Sequence, residues 1–221
     1  MTPARHLYLR ELRIALLNRS LGFPHTLGLS CNHEGICYTD TIMDTYELLV
    51  WFDQYLAERN LQFEAVAIGG AALNLLGVIS RLTKDCDILW PEIPRDVAEA
   101  SRAFATQVRA MGNTLQDDWL NNGPASLANQ LLPKWQERLR VVFSGKAIRL
   151  LSLGRVDLLC AKLFALCDRG IDLGDCIALA PTTDELANVL SWLEVQDANP
   201  DWPAHVRATL ADLGRRLGHG I

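Results

Sequence analysis

Apolar and polar positions along this chain follow two periods. From 63 to 68 every residue except Glu64 is apolar, a run of the length of a buried strand. Gly69-Gly70 interrupts it, a short helical stretch follows, and a second strand carries Asp85-Cys86-Asp87 and ends at Trp90. Helical spacing governs other stretches. Leu9, Leu12, Leu16 and Leu17 form a stripe over 6–18. Leu49, Phe52 and Leu56 share a face up to Asn60, opened by the capping-box pattern from Asp44 to Glu47. Beyond the break at Pro91 and Pro94, Val97, Ala100, Phe104, Val108 and Met111 recur at the same period as far as Gly112.

Asn121-Asn122-Gly123-Pro124 marks a turn, and the stretch that follows, up to Trp135, fits either a short helix or irregular structure. Two apolar runs, 139–143 and 147–153, flank Ser144-Gly145-Lys146 and predict an antiparallel hairpin. A helix over 156–169 buries Leu159, Leu163 and Leu166, and a second capping box, Thr182 to Glu185, opens one with Leu186, Val189, Leu190 and Leu193 on one face. After Pro200 and Pro203 a last helix runs through Val206, Leu210 and Leu213 to about Gly218. Together these elements predict an α+β fold: a small mixed β-sheet with covering helices, followed by a C-terminal helical lobe. The expected division is a helical segment over 1–60, an α/β core over 61–155 and the helical lobe over 156–221, with the site in the cleft between the last two.

Charge changes this picture locally. The 221 residues carry 21 Lys and Arg against 26 Asp and Glu, a net charge of -5, which is not an overall nucleic-acid-binding composition. Between 134 and 155, however, Lys134, Arg138, Arg140, Lys146, Arg149 and Arg155 face only Glu137, as a basic face or a solvated hairpin surface would. The six cysteines lack a disulfide-scaffold pattern, and Cys160, Cys167 and Cys176 lie among apolar residues, which points to a reducing, cytoplasmic setting. Cys31, His33 and Cys37 have no partner pair to complete a structural zinc site and read as an ordinary loop. No run approaches the roughly 18–20 apolar residues of a membrane span, and Arg5, Arg10, Arg13 and Arg19 fit an amphipathic first helix better than a transit segment.

The candidate chemistry sits at 63–90. Alternate side chains of a strand point the same way, so Asp85 and Asp87 project from one face. Two such carboxylates suit a hard cation such as Mg²⁺, which combines one or two carboxylates with substrate phosphates and water. Glycines between strand and helix let backbone N–H groups approach an anion closely.

The strand, Gly69-Gly70, the short helix and the series Arg81, Thr83, Asp85, Asp87 resemble the nucleotidyltransferase superfamily of the DNA polymerase beta and kanamycin nucleotidyltransferase type. Within it they look most like bacterial nucleotidyltransferases of the AbiEii and MenT toxin type, whose later helix with a Lys, an Arg near its end and a following Asp-x-x-Asp is matched by Lys162, Arg169, Asp172 and Asp175. The resemblance covers about half of the chain.

What the resemblance implies is transfer of a nucleotidyl group from a nucleoside triphosphate, with pyrophosphate leaving. Asp85 and Asp87 would hold Mg²⁺ or Mn²⁺, and Gly69 and Gly70 would meet the triphosphate. Thr83 would donate a hydroxyl or steady the strand. Arg81 would contact phosphate or pair with a carboxylate to fix its loop. Lys162 would be a second cationic contact to phosphate and Arg169 would help bind the nucleotide, Asp175 would orient one of them or assist the acceptor, and Asp172 could be a helix cap. The acceptor could be RNA or tRNA, a protein or a small molecule, and the toxin-type likeness implies an antitoxin protein as partner. Many relatives add a third carboxylate from a neighbouring strand; the strand expected there, 138–143, offers none, and Glu137 and Asp157 lie to either side. The competing reading is a catalytically silent nucleotide- or partner-binding module of the same fold.

Overall fold

In the computed structural model residues 44–81, 83 and 85–219 are described, all within one unit, 40–221. The helix expected over 6–18 and the loop carrying Cys31, His33 and Cys37 lie outside the described residues. The chain runs α1 (Thr45–Ala57), β1 (Phe63–Ile68), α2 (Gly69–Leu75), β2 (Cys86–Trp90), α3 (Arg95–Ala110), β3 (Leu120–Asn121), β4 (Arg140–Ser144), β5 (Ile148–Ser152), α4 (Arg155–Arg169), α5 (Leu173–Leu179), α6 (Thr183–Leu193) and α7 (Trp202–Arg216). Short 3-10 turns at Ala125–Asn129 and Trp135–Arg138 fill the stretch left open by its pattern. The caps behave as their sequences predict. Asp44 accepts from the Glu47 backbone N–H at 2.7 Å, and Thr182 and Glu185 form a reciprocal capping box.

Five strands pair in the order β3-β2-β1-β5-β4. β1 is antiparallel to β2 and parallel to β5, β3 is parallel to β2, and β4 closes the hairpin on β5, so the sheet is mixed. The pleat divides each strand between two cores. Ala65, Ala67, Cys86 and Ile88 face Phe52 and Leu56 of α1 and Phe104 and Val108 of α3. Val66, Ile68 and Leu89 face Leu159, Leu163, Leu186, Val206 and Leu213 of α4, α6 and α7. The apolar stripes of α4, α6 and α7 are buried in this second core, where α6 and α7 pack against α4, each fully buried Leu contributing about 1.5–3 kcal/mol.

Two expectations need correction. The hairpin strand expected to flank the Asp pair is β4, at the far edge of the sheet, because β5 inserts beside β1 by parallel pairing from Phe63 to Ala67. The residues expected to be only a turn, from Asn121, instead begin as β3 alongside β2, with Asp87 opposite Asn121. Among the described residues no helix is long and apolar enough to cross a membrane.

Candidate functional site

Backbone geometry at the β1–α2 junction sets the site. Gly69 has φ +70, a left-handed conformation that costs an L residue with a side chain about 1–2 kcal/mol. A Cβ there would also stand 2.7 Å from Oδ2 of Asp87, so the glycine backbone lies directly against that carboxylate. The register explains the proximity, since Ile68, the last residue of β1, pairs with Asp87. Gly70 packs on the other side of the junction, where a Cβ would meet Thr83 Oγ1 at 3.1 Å and an Arg81 guanidinium nitrogen at 3.5 Å. Thr83 in turn donates from Oγ1 to the backbone carbonyl of Asp85 at 3.1 Å, fixing the approach to β2. Asp85 is exposed just before β2 begins, and Asp87 is half-buried within it.

From Arg81 the cluster continues into the C-terminal helices. Its guanidinium binds Asp175 of α5, with N–O distances of 2.9, 3.0 and 3.3 Å. This is the carboxylate pairing expected as one of the roles of Arg81. Lys162, reaching out of α4, donates to the same Asp175 at 2.6 Å and to Asp172 at 2.9 Å, and Arg169 reaches Asp172 at 3.0 Å. Asp172 stands at the N-cap of α5 but makes no side-chain cap bond; its oxygens go to Lys162 and Arg169. Burial works against ionisation of Asp175, yet hydrogen bonds from Lys162 and then Arg81 outweigh it and hold the carboxyl below the usual range. Burial likewise pulls on Lys162, but Asp175 and Asp172 more than compensate and keep the ammonium charged.

The residues singled out from the sequence thus form one connected set, from Asp85 and Asp87 through Gly69, Gly70, Thr83 and Arg81 to Asp175 and Lys162, and through Asp172 to Arg169. Lys162 is enclosed, with 10% of its side chain exposed, whereas 57% of each of the Arg81 and Arg169 side chains is exposed. Sequence reasoning missed Asn121. Its Nδ2 donates to Oδ1 of Asp87 at 3.1 Å from β3, and the signal that could have found it is an amide in a turn-like stretch, too common to stand out.

Neither Asp157 nor Glu137 joins the pair. Asp157 is fully buried and gripped bidentately by Arg138, both contacts 2.8 Å, and Glu137 lies 3.8 Å from Lys134. Among the described residues no group of three or more His, Cys, Asp or Glu side chains could hold a metal ion. A cation on Asp85 and Asp87 would therefore draw its remaining oxygens from water and a phosphate-bearing ligand, a donor set that fits Mg²⁺. Cys86, between the two acids, faces the core; burial, then Asp87 and Asp85, push its thiol up to about 12, so it supplies no thiolate.

The model of a family described as "Nucleotidyltransferase of unknown function (DUF6036)" matches residues 48–199, a span that contains every residue of this cluster. No curated protein and no solved structure matches the chain.

Proposed function

This chain belongs to the nucleotidyltransferase family of unknown function DUF6036, and from that premise we propose that it moves a nucleotidyl group from a nucleoside triphosphate to an acceptor hydroxyl or phosphate. The observation that carries the reading is the packing of Gly69 against Asp87 Oδ2 and of Gly70 against Thr83 and Arg81, which joins an acid to backbone and cationic groups suited to phosphate. Asp85 and Asp87 would hold Mg²⁺ or Mn²⁺, which supplies charge neutralisation on the phosphates. Gly69 and Gly70 let Asp87, Thr83 and Arg81 close directly on the junction backbone, whose N–H groups would meet the triphosphate. Arg81, held by Asp175 and with a guanidinium nitrogen beside Gly70, would contact a phosphate bound at the junction. Lys162 keeps Asp172 and Asp175 paired, and Arg169 adds a solvent-facing cation at the rim.

The order of motifs, like that of AbiEii- and MenT-type proteins, supports a toxin that modifies RNA such as tRNA and is restrained by an antitoxin protein. Protein and small-molecule acceptors are the other outcomes of the test. Purified protein is incubated with each labelled NTP, Mg²⁺ and total cellular RNA, beside an Asp85→Ala/Asp87→Ala control. Label moving into RNA or protein with pyrophosphate release, and lost in the control, is the expected result. Nucleotide binding without transfer from any NTP would replace this reading with a silent nucleotide-binding module. Growth arrest on expression, relieved by Asp87→Ala, checks the toxin role separately.

A further inference from the structure

Asp87 has two oxygens with different neighbours. Oδ2 lies against the Gly69 backbone, while Oδ1 accepts from Nδ2 of Asn121 at 3.1 Å. Asn121 is itself fixed at both ends: its Oδ1 accepts from the Gly123 backbone N–H at 2.7 Å, its Nδ2 also approaches the Asp118 carbonyl at 3.4 Å, and its backbone is locked opposite Asp87 in the β2–β3 register. A donor anchored in this way fixes the carboxylate rotamer and leaves one defined oxygen for another partner. It is also neutral. A third carboxylate at this position would put like charge beside Asp87, a cost that only a bound cation could offset.

We propose that Asn121 is a positioning residue for cation uptake: it holds Asp87 by Oδ1 so that Oδ2 is the oxygen offered to the metal. This rests on the reading that Asp85 and Asp87 hold a divalent ion. The arrangement makes cation affinity depend on an amide that touches neither metal nor substrate.

The test is Mn²⁺ binding to the full chain, followed by electron paramagnetic resonance, together with the melting temperature with and without Mn²⁺. Asp87→Asn should abolish binding. Asn121→Ala should weaken it about tenfold, the effect of losing one charge-assisted hydrogen bond. Asn121→Ala should also gain less in melting temperature from Mn²⁺ than wild type does, by about 3 °C or more. A purely structural role would lower melting equally with and without the ion. Wild-type Mn²⁺ affinity in Asn121→Ala, or an Mn²⁺-induced melting shift in Asn121→Ala as large as in wild type, overturns the proposal while leaving the metal reading intact. Absence of Mn²⁺ binding by the wild-type chain overturns both.

Discussion

At the scale of single residues the site depends on one backbone conformation. Gly69 and Gly77 share nearly the same positive φ, +70 and +73, but a Cβ at Gly77 would meet nothing within 4 Å whereas at Gly69 it would press on Asp87. Gly77→Ala should therefore cost the conformational strain alone, about 1 kcal/mol in urea denaturation, with nucleotidyl transfer unchanged. Gly69→Ala should add a displaced carboxylate and lower transfer on the order of 100-fold, since roughly an ångström of misplacement has that effect. Equal activity in the two variants would show that the contact with Asp87 is immaterial. A second residue-scale prediction concerns Asp53, whose buried carboxylate accepts from the backbone N–H groups of Lys146, Ala147 and Ile148 at 3.0, 2.8 and 2.8 Å. Gly145 leaves it the space, because a Cβ there would collide with that carboxylate. Asp53→Ala strands those donors at the β4–β5 turn and should destabilise by about 3 kcal/mol, read from the urea midpoint.

Among the elements, α4 and α5 meet through charge as well as packing. Asp175, with its carboxyl held low, stabilises the fold at every pH above its ordinary value of 3.8 and loses that contribution as pH falls through the lower folded value. Lys162, held high, contributes fully below 10.5 and loses its part only as pH rises past it. Asp175→Asn should thus be less stable than wild type by about 2–3 kcal/mol at neutral pH, with the gap closing below 3.8 in acid denaturation. At the start of α6, the hydrogen bond from Arg155 lowers Glu185 from 4.5 to about 2 despite partial burial. The deficit of Glu185→Gln, on the order of 1 kcal/mol, should likewise vanish between those two values. What was legible in the sequence follows the reach of each interaction. Strand–Gly-Gly–helix and the strand that carries Asp87 are local, although β2 begins at Cys86 and leaves Asp85 outside it, and the stripes of α1, α3, α4, α6 and α7 repeat within a few residues. The Arg81–Asp175 pair joins positions 94 residues apart, and Asn121 reaches Asp87 across 34, through a strand of 2 residues. Spacing along the chain carries no trace of either.

For the molecule as a whole, the local charge excess between 134 and 155 is largely spent internally. Lys134, Arg138, Arg149 and Arg155 pair with Glu137, Asp157, Glu64 and Glu185, which come from other parts of the chain except Glu137 and Asp157 nearby. A sequence tally cannot see partners such as Glu64, brought beside Arg149 by the β1–β5 register. The same register ties both helix layers together, because Ala65 and Ala67 enter one core while Val66 and Ile68, between and after them, enter the other. Neither core can lose its sheet face without exposing the other. Unfolding of 44–219 should accordingly be one cooperative transition, although the sequence alone divides it at 155. Leu163→Ala, which removes a fully buried side chain from α4, should cost about 3 kcal/mol. Hydrogen exchange checks the coupling: the most protected amides of α1, on the opposite face, should lose protection by the same free energy as those of α4. If α1 kept its wild-type protection while α4 lost its own, the two layers would be separate cooperative units, and the junction holding Gly69 and Asp87 would lie on the boundary between them instead of inside a single one.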